Sequence, residues 1–368
     1  MNRRELLGKS IGGGAALLGR TATAAAESRR YLYVAEPGIR NYVEFGGVGV
    51  LVFDIDAGYR FVRRIPTWPE VPGVAPENVK GICASAGTGR LFVSTVKRLG
   101  CIDLLTDKML WSREYPGGCD RMSIAPNGSH LYVPSLEGPH WHAVNAADGA
   151  IIQTIVTNSG AHNTVYGLNG KAVYLAGLKS PYLFVADPST HRADSKVGPF
   201  SEAIRPFTVN GRQTRCYVNV NKLLGFEIGD LESGRMLSRV EIPGFQTGPV
   251  KRHGCPSHGI GLTPDESEIW VVDAFNQRVH FFENKRDKPR WMSSVALREQ
   301  PGWITFTLDG KHGLLSTGEV FDVRSHTIIH ALTDETGRQA HSEKVLEIDF
   351  RDGKPTRNGD QFGLGRRR

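Results

Sequence analysis

Six residues with reactive or recognition side chains recur at one position of a repeating pattern in this sequence. They are Lys80, Asp120, His162, Arg205, His258 and Trp303, each eleven residues before an apolar residue at which the repeats align. None is aliphatic: two are imidazoles, two are cations, one is an acid and one is aromatic. Cationic, imidazole and aromatic groups that converge on one place suit an anionic ligand with a flat apolar face, such as a sugar acid.

Three further polar residues extend this set. Arg121 and Asn163 each follow a member of the set by one position, and Arg252 lies in an insertion between residues 244 and 257. Long ordered loops of this kind are more often functional than accidental. We therefore predict that all three contribute to the same ligand site.

An acid–base mechanism can be assembled from these groups. His258 or His162 would act as the general base. Arg205, Arg121 or Lys80 would neutralise a substrate carboxylate, and the same positive charge would keep the imidazole neutral by lowering its pKa. The sequence thus predicts binding of an anionic small molecule or acidic carbohydrate, with lyase or hydrolase activity as the catalytic form of this hypothesis.

A metal site is the alternative interpretation. His253, Cys255 and His258 have the spacing H-x-C-x-x-H, which is compact enough to chelate one transition metal, and His162 could join them. The spacing matches no standard zinc pattern. A disulfide between Cys255 and Cys119 is a further alternative in an oxidising compartment. The bland interpretation is a water-filled channel in a non-catalytic interaction scaffold.

The elements that must position these side chains are short strands separated by polar turns. The aligned apolar residues lie in the second strand of each unit: Leu91, Leu131, Val173, Cys216, Ile269 and Leu314. Their spacings are 40, 42, 43, 53 and 45 residues, which is typical of a four-stranded blade repeat. Such a repeat predicts a β-propeller in which the six residues at the strand entrances face a central channel.

The two ends of the chain predict how the ring closes. Segments 31–35, 48–54 and 61–66 have the pattern of second, third and fourth strands without a first, and segment 343–350 is a strand without a blade. Insertion of the last strand beside the first three completes a blade and removes the exposed sheet edges. We therefore predict an all-β, seven-bladed β-propeller closed by the C-terminal strand in the N-terminal blade.

Two stretches carry a family resemblance. SHGIGLTPDESEIWVVD (257–273) and CDRMSIAPNGSHLYV (119–133) resemble the bacterial YVTN-type seven-bladed propeller repeat, and the resemblance extends over essentially the whole mature chain. It implies the fold. It leaves the function open, because propellers of this shape include lactonases, lyases, metal-containing reductases and pure binding modules.

Residues 1–26 have the composition of an export signal. A charged start with Arg3 and Arg4, a short glycine-rich apolar segment and small residues near 22–26 resemble a twin-arginine leader. We therefore expect a periplasmic or extracellular protein in which 27–358 form the propeller and 359–368 a C-terminal tail. No apolar run outside the leader has the length of a membrane span, so no stable membrane insertion of the mature domain is expected.

The charge is concentrated at the two ends of the chain. Of the formal net charge of +7, the leader carries +3 and the terminal arginines (366–368) carry +3. The propeller itself is therefore close to neutral. A nucleic-acid-binding domain would instead concentrate basic residues on one of its own faces, so nucleic acid is not an expected partner.

Overall fold

The computed structural model describes residues 27–285 and 288–367, and nearly all of their regular structure is β-strand. The predicted leader, 1–26, lies outside the described residues. In the first half of the chain the strands are β1 (Ser28–Glu36), β2 (Gly49–Asp54), β3 (Arg60–Ile65), β4 (Val79–Ser85), β5 (Arg90–Thr95), β6 (Arg98–Asp103), β7 (Met109–Glu114), β8 (Ser123–Ile124), β9 (His130–Pro134), β10 (His140–Asn145), β11 (Ile151–Val156), β12 (Ala161–Tyr166), β13 (Val173–Gly177), β14 (Leu183–Asp187) and β15 (Arg192–Val197).

The second half continues the same pattern. Its strands are β16 (Ile204–Val209), β17 (Arg215–Val220), β18 (Gly225–Asp230), β19 (Arg235–Glu241), β20 (Ile260–Leu262), β21 (Glu268–Asp273), β22 (Arg278–Glu283), β23 (Arg290–Ala296), β24 (Ile304–Phe306), β25 (His312–Leu315), β26 (Glu319–Asp322), β27 (Thr327–Ala331), β28 (Val345–Arg351) and β29 (Lys354–Asn358). Two 3-10 turns, Val43–Phe45 and Ala86–Thr88, are the helical elements of the described residues.

The described strands form seven antiparallel sheets, the blades of a ring. Blades 2 to 7 each contain four consecutive strands, from β4–β7 for blade 2 to β24–β27 for blade 7. Blade 1 has the order β29-β28-β1-β2-β3. Strand β28 pairs with β1, with Leu32 opposite Glu347. The all-β, seven-bladed propeller and its closure through the C-terminal strand are therefore confirmed, and β29 adds a fifth strand on the inner side of β28.

The apolar cores lie between neighbouring blades. Middle strands are buried on both faces because a blade covers each side, so they are continuous apolar runs, as in β21 (EIWVVD). Trp270 of that strand contacts Phe281 of its own blade and Phe306 and Phe321 of blade 7, with ring centroids 4.6, 5.1 and 5.7 Å apart. Outer strands alternate instead between exposed and half-buried residues, as in β19, since water covers one of their faces.

Residues 359–367 enter the channel of the propeller, and we call them the C-terminal plug. Gln361 connects two blades: its Oε1 accepts from the Ile82 amide (3.1 Å), and its Nε2 donates to the Met122 carbonyl (3.0 Å). On the other side, the Gly363 carbonyl accepts from the Leu262 amide of blade 6 (2.8 Å). The segment expected as a tail is therefore bonded to the inner strands of the ring.

The apolar side chains of the plug complete a core. Phe362 and Leu364 are 2% and 3% exposed and pack in the cluster that contains Trp303 and the inner strands of blades 4 and 5. The plug thus fills part of the channel below the ring of predicted site residues. A cavity of about 210 Å³ remains between the plug and the walls of blades 2 to 4.

No helix of the described residues has both the length and the hydropathy of a transmembrane span. All five cysteines are buried and free, so the disulfide weighed between Cys119 and Cys255 is not formed.

Candidate functional site

The strand register decides which residue of each blade lies at the predicted ring position. In blades 2 to 6, the aligned residue of the second strand pairs with a residue of the inner strand, and the ring residue stands four positions before that partner. In blade 2, for example, Leu91 pairs with Ala84, and Lys80 stands four positions before Ala84. The same count holds for the four blades that follow. Five predicted members of the ring are therefore in equivalent places: Lys80, Asp120, His162, Arg205 and His258.

Blade 7 departs from the prediction by one residue. The pair of blade 7 whose two residues are as far apart in the sequence as Ala84 and Leu91 is Phe306–Gly313, and this pair does not contain Leu314. Counting back four positions from Phe306 gives Gly302. Gly302 therefore occupies the ring position, and Trp303 lies one step further in.

A recurring turn gives the physical reason for this correction. In blade 6 the Thr263 hydroxyl donates to Asp265 Oδ1, and in blade 7 the Thr307 hydroxyl donates to Asp309 Oδ1, each over 2.7 Å. The two turns are equivalent, and counting back from them puts Gly302 level with His258. Alignment on an apolar residue failed because blade 7 has glycine where the other blades have an apolar side chain.

Blade 1 supplies the seventh ring residue from the other end of the chain. Leu32 is the counterpart of Leu91, since each packs towards the preceding blade, and it pairs with Glu347 of β28. Four positions before Glu347 stands Glu343. The sequence rule counts back along a continuous blade, so it could not reach Glu343, which the closing strand brings in from the far end of the chain.

The ring surrounds a cavity of about 160 Å³. Three histidines line it, His162, His253 and His258. Five cationic side chains and two carboxylates also line it: Arg40, Lys80, Arg121, Arg205 and Lys344, with Glu137 and Glu343. The lining thus has an excess of positive charge.

Glu343 is at the centre of the charged groups. Its side chain is 4% exposed, and Oε2 accepts from Arg121 Nη2 (3.0 Å) and Lys344 Nζ (3.1 Å). His253 Nε2 lies 2.8 Å from the other oxygen, Oε1. Burial alone would raise the pKa of Glu343, but His253 and Lys344 lower it well below its usual range. Burial also lowers the pKa of Lys344 to about 8, although Glu343 opposes the shift.

Two stacked histidines form one wall beside Glu343. The rings of His253 and His258 are 4.0 Å apart at an interplanar angle of 15°. His258 Nδ1 lies 3.2 Å from the Gly302 carbonyl, so Nδ1 donates and Nε2 keeps its lone pair. Burial lowers the pKa of both imidazoles, that of His258 well below 6.5. A Cβ at Gly302 would collide with Glu343 Oε1 and crowd His253, so glycine makes room for the group.

The floor of the cavity links the site to the C-terminal plug. The Arg121 guanidinium lies 3.4 Å from the centre of the Trp303 ring. Trp303 in turn donates from Nε1 to the Gln361 carbonyl and contacts Phe362 edge-on, with centroids 6.0 Å apart. The plug therefore supports the indole of Trp303, on which Arg121 lies, and Arg121 in turn binds Glu343.

Asp120 and His162 form a hydrogen-bonded dyad on the opposite wall. His162 Nδ1 donates to Asp120 Oδ2 over 2.6 Å, and Lys80 Nζ lies 3.4 Å from Oδ1. This bond fixes the tautomer and leaves His162 Nε2 as an acceptor on a ring that lines the cavity. Burial lowers the pKa of His162 below 6.5 in spite of Asp120. His162 is therefore neutral at neutral pH, and its Nε2 can take up a proton from a ligand.

Two predicted residues face away from the cavity. Arg252 donates to Glu299 Oε1 (2.6 Å) and to the Gln300 carbonyl (2.9 Å). The Cys255 thiol is 1% exposed and donates to the Ser257 carbonyl over 3.0 Å. Burial raises the pKa of Cys255 to about 12, so it remains a thiol at neutral pH. Both residues support the inserted loop.

Arg205 remains available to a ligand, whereas Asn163 is buried outside the lining of the cavity. Arg205 lines the cavity and donates from Nε to Asn221 Oδ1 (2.6 Å). Asn163 is 1% exposed, and within the described residues neither of its amide atoms has a hydrogen-bond partner; Arg121 Nη1 also has none. Buried polar atoms are nearly always paired. Arg121 lines the cavity, so its Nη1 is a natural contact for a bound polar molecule.

Lys344 is the cationic site residue that sequence reasoning missed together with Glu343. The two charged residues directly precede the apolar run of β28, at the entrance of an inner strand. Every other ring residue also lies at the entrance of an inner strand. The charged pair Glu343 and Lys344 at the entrance of β28 was therefore the feature of the sequence that could have indicated these two site residues.

His162 should make the protein less stable in mild acid. Because burial holds its folded pKa below 6.5, the unfolded chain takes up a proton that the folded chain does not. The free energy of unfolding is therefore highest above about pH 6.5 and falls as the pH drops from the unfolded pKa of about 6.5 towards the lower folded pKa, where the loss levels off. The loss is up to about 1.4 kcal/mol per unit of difference between the two pKa values for one histidine. Urea unfolding at about pH 7.5 and about pH 5.5 should show a smaller loss for His162→Gln than for the wild type. Equal losses would contradict the assignment.

Comparison with known proteins supports the fold and nothing finer. No family model matches the chain, and no curated protein matches its sequence. Among solved structures, the chain is similar to the hydrazine synthase of Kuenenia stuttgartiensis, with a TM-score of 0.56 and 16% identity over 70% of this chain and 84% of that one. At this identity the likeness is one of fold alone.

Proposed function

We propose that this seven-bladed propeller binds a small anionic molecule in the cavity at the mouth of its channel. The observation that carries the proposal is the charge of the lining, where five cations face two carboxylates. The unpaired Arg121 Nη1 gives the anion a buried donor. Desolvated guanidinium and ammonium groups bind carboxylates strongly because water competes little for them. A sugar acid or a related carboxylic acid has the required chemistry.

The dyad of Asp120 and His162 gives this binding site a catalytic option. With Nδ1 bonded to Asp120 over 2.6 Å, His162 would take a proton at Nε2 from the carbon next to the substrate carboxylate. The imidazolium that forms would be stabilised by Asp120, and Lys80 or Arg205 would stabilise the negative charge that develops on the substrate. Departure of a group from the next carbon, with the electron pair of its bond, would complete an elimination. With a lactone as the ligand, water that gives a proton to His162 Nε2 would instead attack the lactone carbonyl carbon, and the ring C–O bond would break to give the hydroxy acid.

We also infer that the chain is an exported member of the YVTN-type propellers. The twin-arginine-like start and the two repeat stretches at 119–133 and 257–273 support this inference. A periplasmic or extracellular location would put the cavity in contact with small molecules and carbohydrates outside the cytoplasm.

A calorimetric screen tests the binding proposal. The purified mature protein is titrated with uronic acids, other small carboxylic acids and lactones, and the expected result is one carboxylate bound per chain. Arg205→Gln should weaken binding about 10- to 100-fold, the effect of a lost charged hydrogen bond. Arg212→Gln, which removes the same charge from an exposed turn, is the matched control and should bind as the wild type does. No carboxylate response, or equal losses in both variants, would favour a scaffold instead.

A further inference from the structure

Glu343, His253 and His258 form a cluster with the composition of a metal site. One ligand atom from each lies within 4.8 Å of the others, at the wall of the cavity. Metal–ligand bonds are about 2 Å long, so the donor atoms would move closer together and the stacked rings of His253 and His258 would tilt to point at one ion. Two imidazoles and one carboxylate form a common ligand set for zinc and for non-haem iron, and it leaves coordination positions open.

Two of the three candidate ligands, His258 and Glu343, are held by a second contact that leaves a donor atom for a metal. His258 Nδ1 is bonded to the Gly302 carbonyl (3.2 Å), which orients the ring and leaves Nε2. Arg121 and Lys344 bind Glu343 Oε2, which leaves Oε1 beside His253. Hydrogen bonds of this kind orient the ligands of protein metal sites and tune their affinity.

We propose that His253, His258 and Glu343 bind one divalent first-row transition metal ion whose open positions face the cavity. Glu343 takes the place that the spacing H-x-C-x-x-H gave to Cys255, since that thiol is bonded to the Ser257 carbonyl. The proposal goes beyond anion binding, because it stands on the geometry of the three ligands and not on the charge of the lining.

The cationic surroundings determine how such a site would behave. Arg121 and Lys344 lie 3.0 and 3.1 Å from Glu343 Oε2 and repel a cation at Oε1. An anion in the cavity that takes an open coordination position would offset this repulsion. The metal should therefore bind more tightly when a carboxylate is present, and by linkage the carboxylate should bind more tightly by the same factor when the metal is present.

Titration of the chelator-treated mature protein with cobalt(II) and zinc(II), each metal alone, tests the proposal. We expect one ion per chain, visible absorption bands of protein-bound cobalt(II), and loss of these bands on addition of zinc(II). His258→Gln and Glu343→Gln should each weaken binding at least about 100-fold, since loss of even a supporting contact costs 10- to 100-fold. Circular dichroism establishes that each variant is folded, and either folded variant alone decides the outcome.

His326→Gln is the matched control. His326 Nε2 lies 2.8 Å from Glu268 Oε2, the same separation as in the pair of His253 and Glu343. This pair lies between blades 6 and 7 and, among the described residues, belongs to no group of three potential metal ligands. The control should bind cobalt(II) as the wild type does. Absence of stoichiometric binding, or an equal affinity in His258→Gln and the wild type, would overturn the metal site.

Failure of the metal site and failure of anion binding can be told apart. Carboxylate binding is measured on the metal-free protein, and metal binding is measured without added carboxylate. Carboxylate binding with no bound cobalt(II) would overturn only the metal site. Cobalt(II) binding with no carboxylate response would retain the metal site and overturn the anion proposal.

Discussion

Replacement of Phe362 by alanine should lower the free energy of unfolding by about 3–5 kcal/mol, the usual cost of removing a buried phenylalanine. The side chain is 2% exposed, and it packs edge-on against Trp303 in a core that the C-terminal plug shares with blades 4 and 5. Trp303 supports Arg121 from below. The same substitution should therefore weaken anion binding in the cavity, although Phe362 does not line it. Urea unfolding and calorimetric titration measure the two effects.

A truncation limits the size of this effect. Deletion of residues 359–368 removes the entire plug, so Phe362→Ala cannot cost more than the docking of the plug itself. If the point variant and the truncation have equal stability, the alanine variant has released the plug. Phe275→Ala is the control, because Phe275 is 44% exposed and its loss should cost less than about 1 kcal/mol. A similarly small loss for Phe362→Ala would show that Phe362 does not anchor the plug.

The fold could be predicted from the sequence because each blade repeats the same order of strands and turns. A unit made of a polar entrance, a short apolar strand, a turn and a second apolar strand recurs at intervals of 40 to 53 residues. The strands left over at the two ends of the chain complete one blade when they pair with each other. The plug could not be predicted in this way. Residues 359–367 have no repeat and little apolar character, and their burial depends on hydrogen bonds from several blades to backbone carbonyls, such as that of Gly363.

The site was predictable where it follows the repeat and not where the ring is closed. Lys80, Asp120 and His162 share one register, and their relation could be counted along the chain. Glu343 joins them only through the pairing of β28 with β1. Cys255 illustrates a different limit, because spacing in a loop indicates which residues are near one another but not which atoms face the cavity. Side-chain direction depends on the fold of the loop.

The buried charges of the site affect the stability of the folded protein as well as the binding of a ligand. Arg121 and Lys344 are 3% and 4% exposed at their side chains, and one carboxylate, Glu343, binds both. Removal of one partner from a buried ion pair is far more costly than the pair is worth, because the remaining charge has no water to solvate it. Glu343 therefore stabilises the cationic lining before any ligand arrives.

Glu343→Gln should accordingly destabilise the protein by about 3–5 kcal/mol. The matched control is Glu283→Gln. Glu283 also contacts two cations, Arg290 at 2.7 Å and Lys285 at 3.2 Å, but its side chain is 36% exposed. Exposed pairs contribute only about 0–1 kcal/mol because water and salt screen them. Urea unfolding of both variants at one pH compares the buried and the exposed arrangement directly.

A double variant distinguishes lost charge balance from lost packing. Glu343→Gln combined with Lys344→Met removes one of the two cations that lost their partner, so the double variant should be more stable than the sum of the single effects predicts. A coupling of more than about 0.5 kcal/mol would show that the two charges act as a pair. Strict additivity, or a Glu343→Gln loss no larger than that of Glu283→Gln, would mean that the cavity tolerates its cations without the carboxylate. The excess positive charge would then be available in full to an anionic ligand, and Glu343 would have no structural reason to be at the centre of the ring.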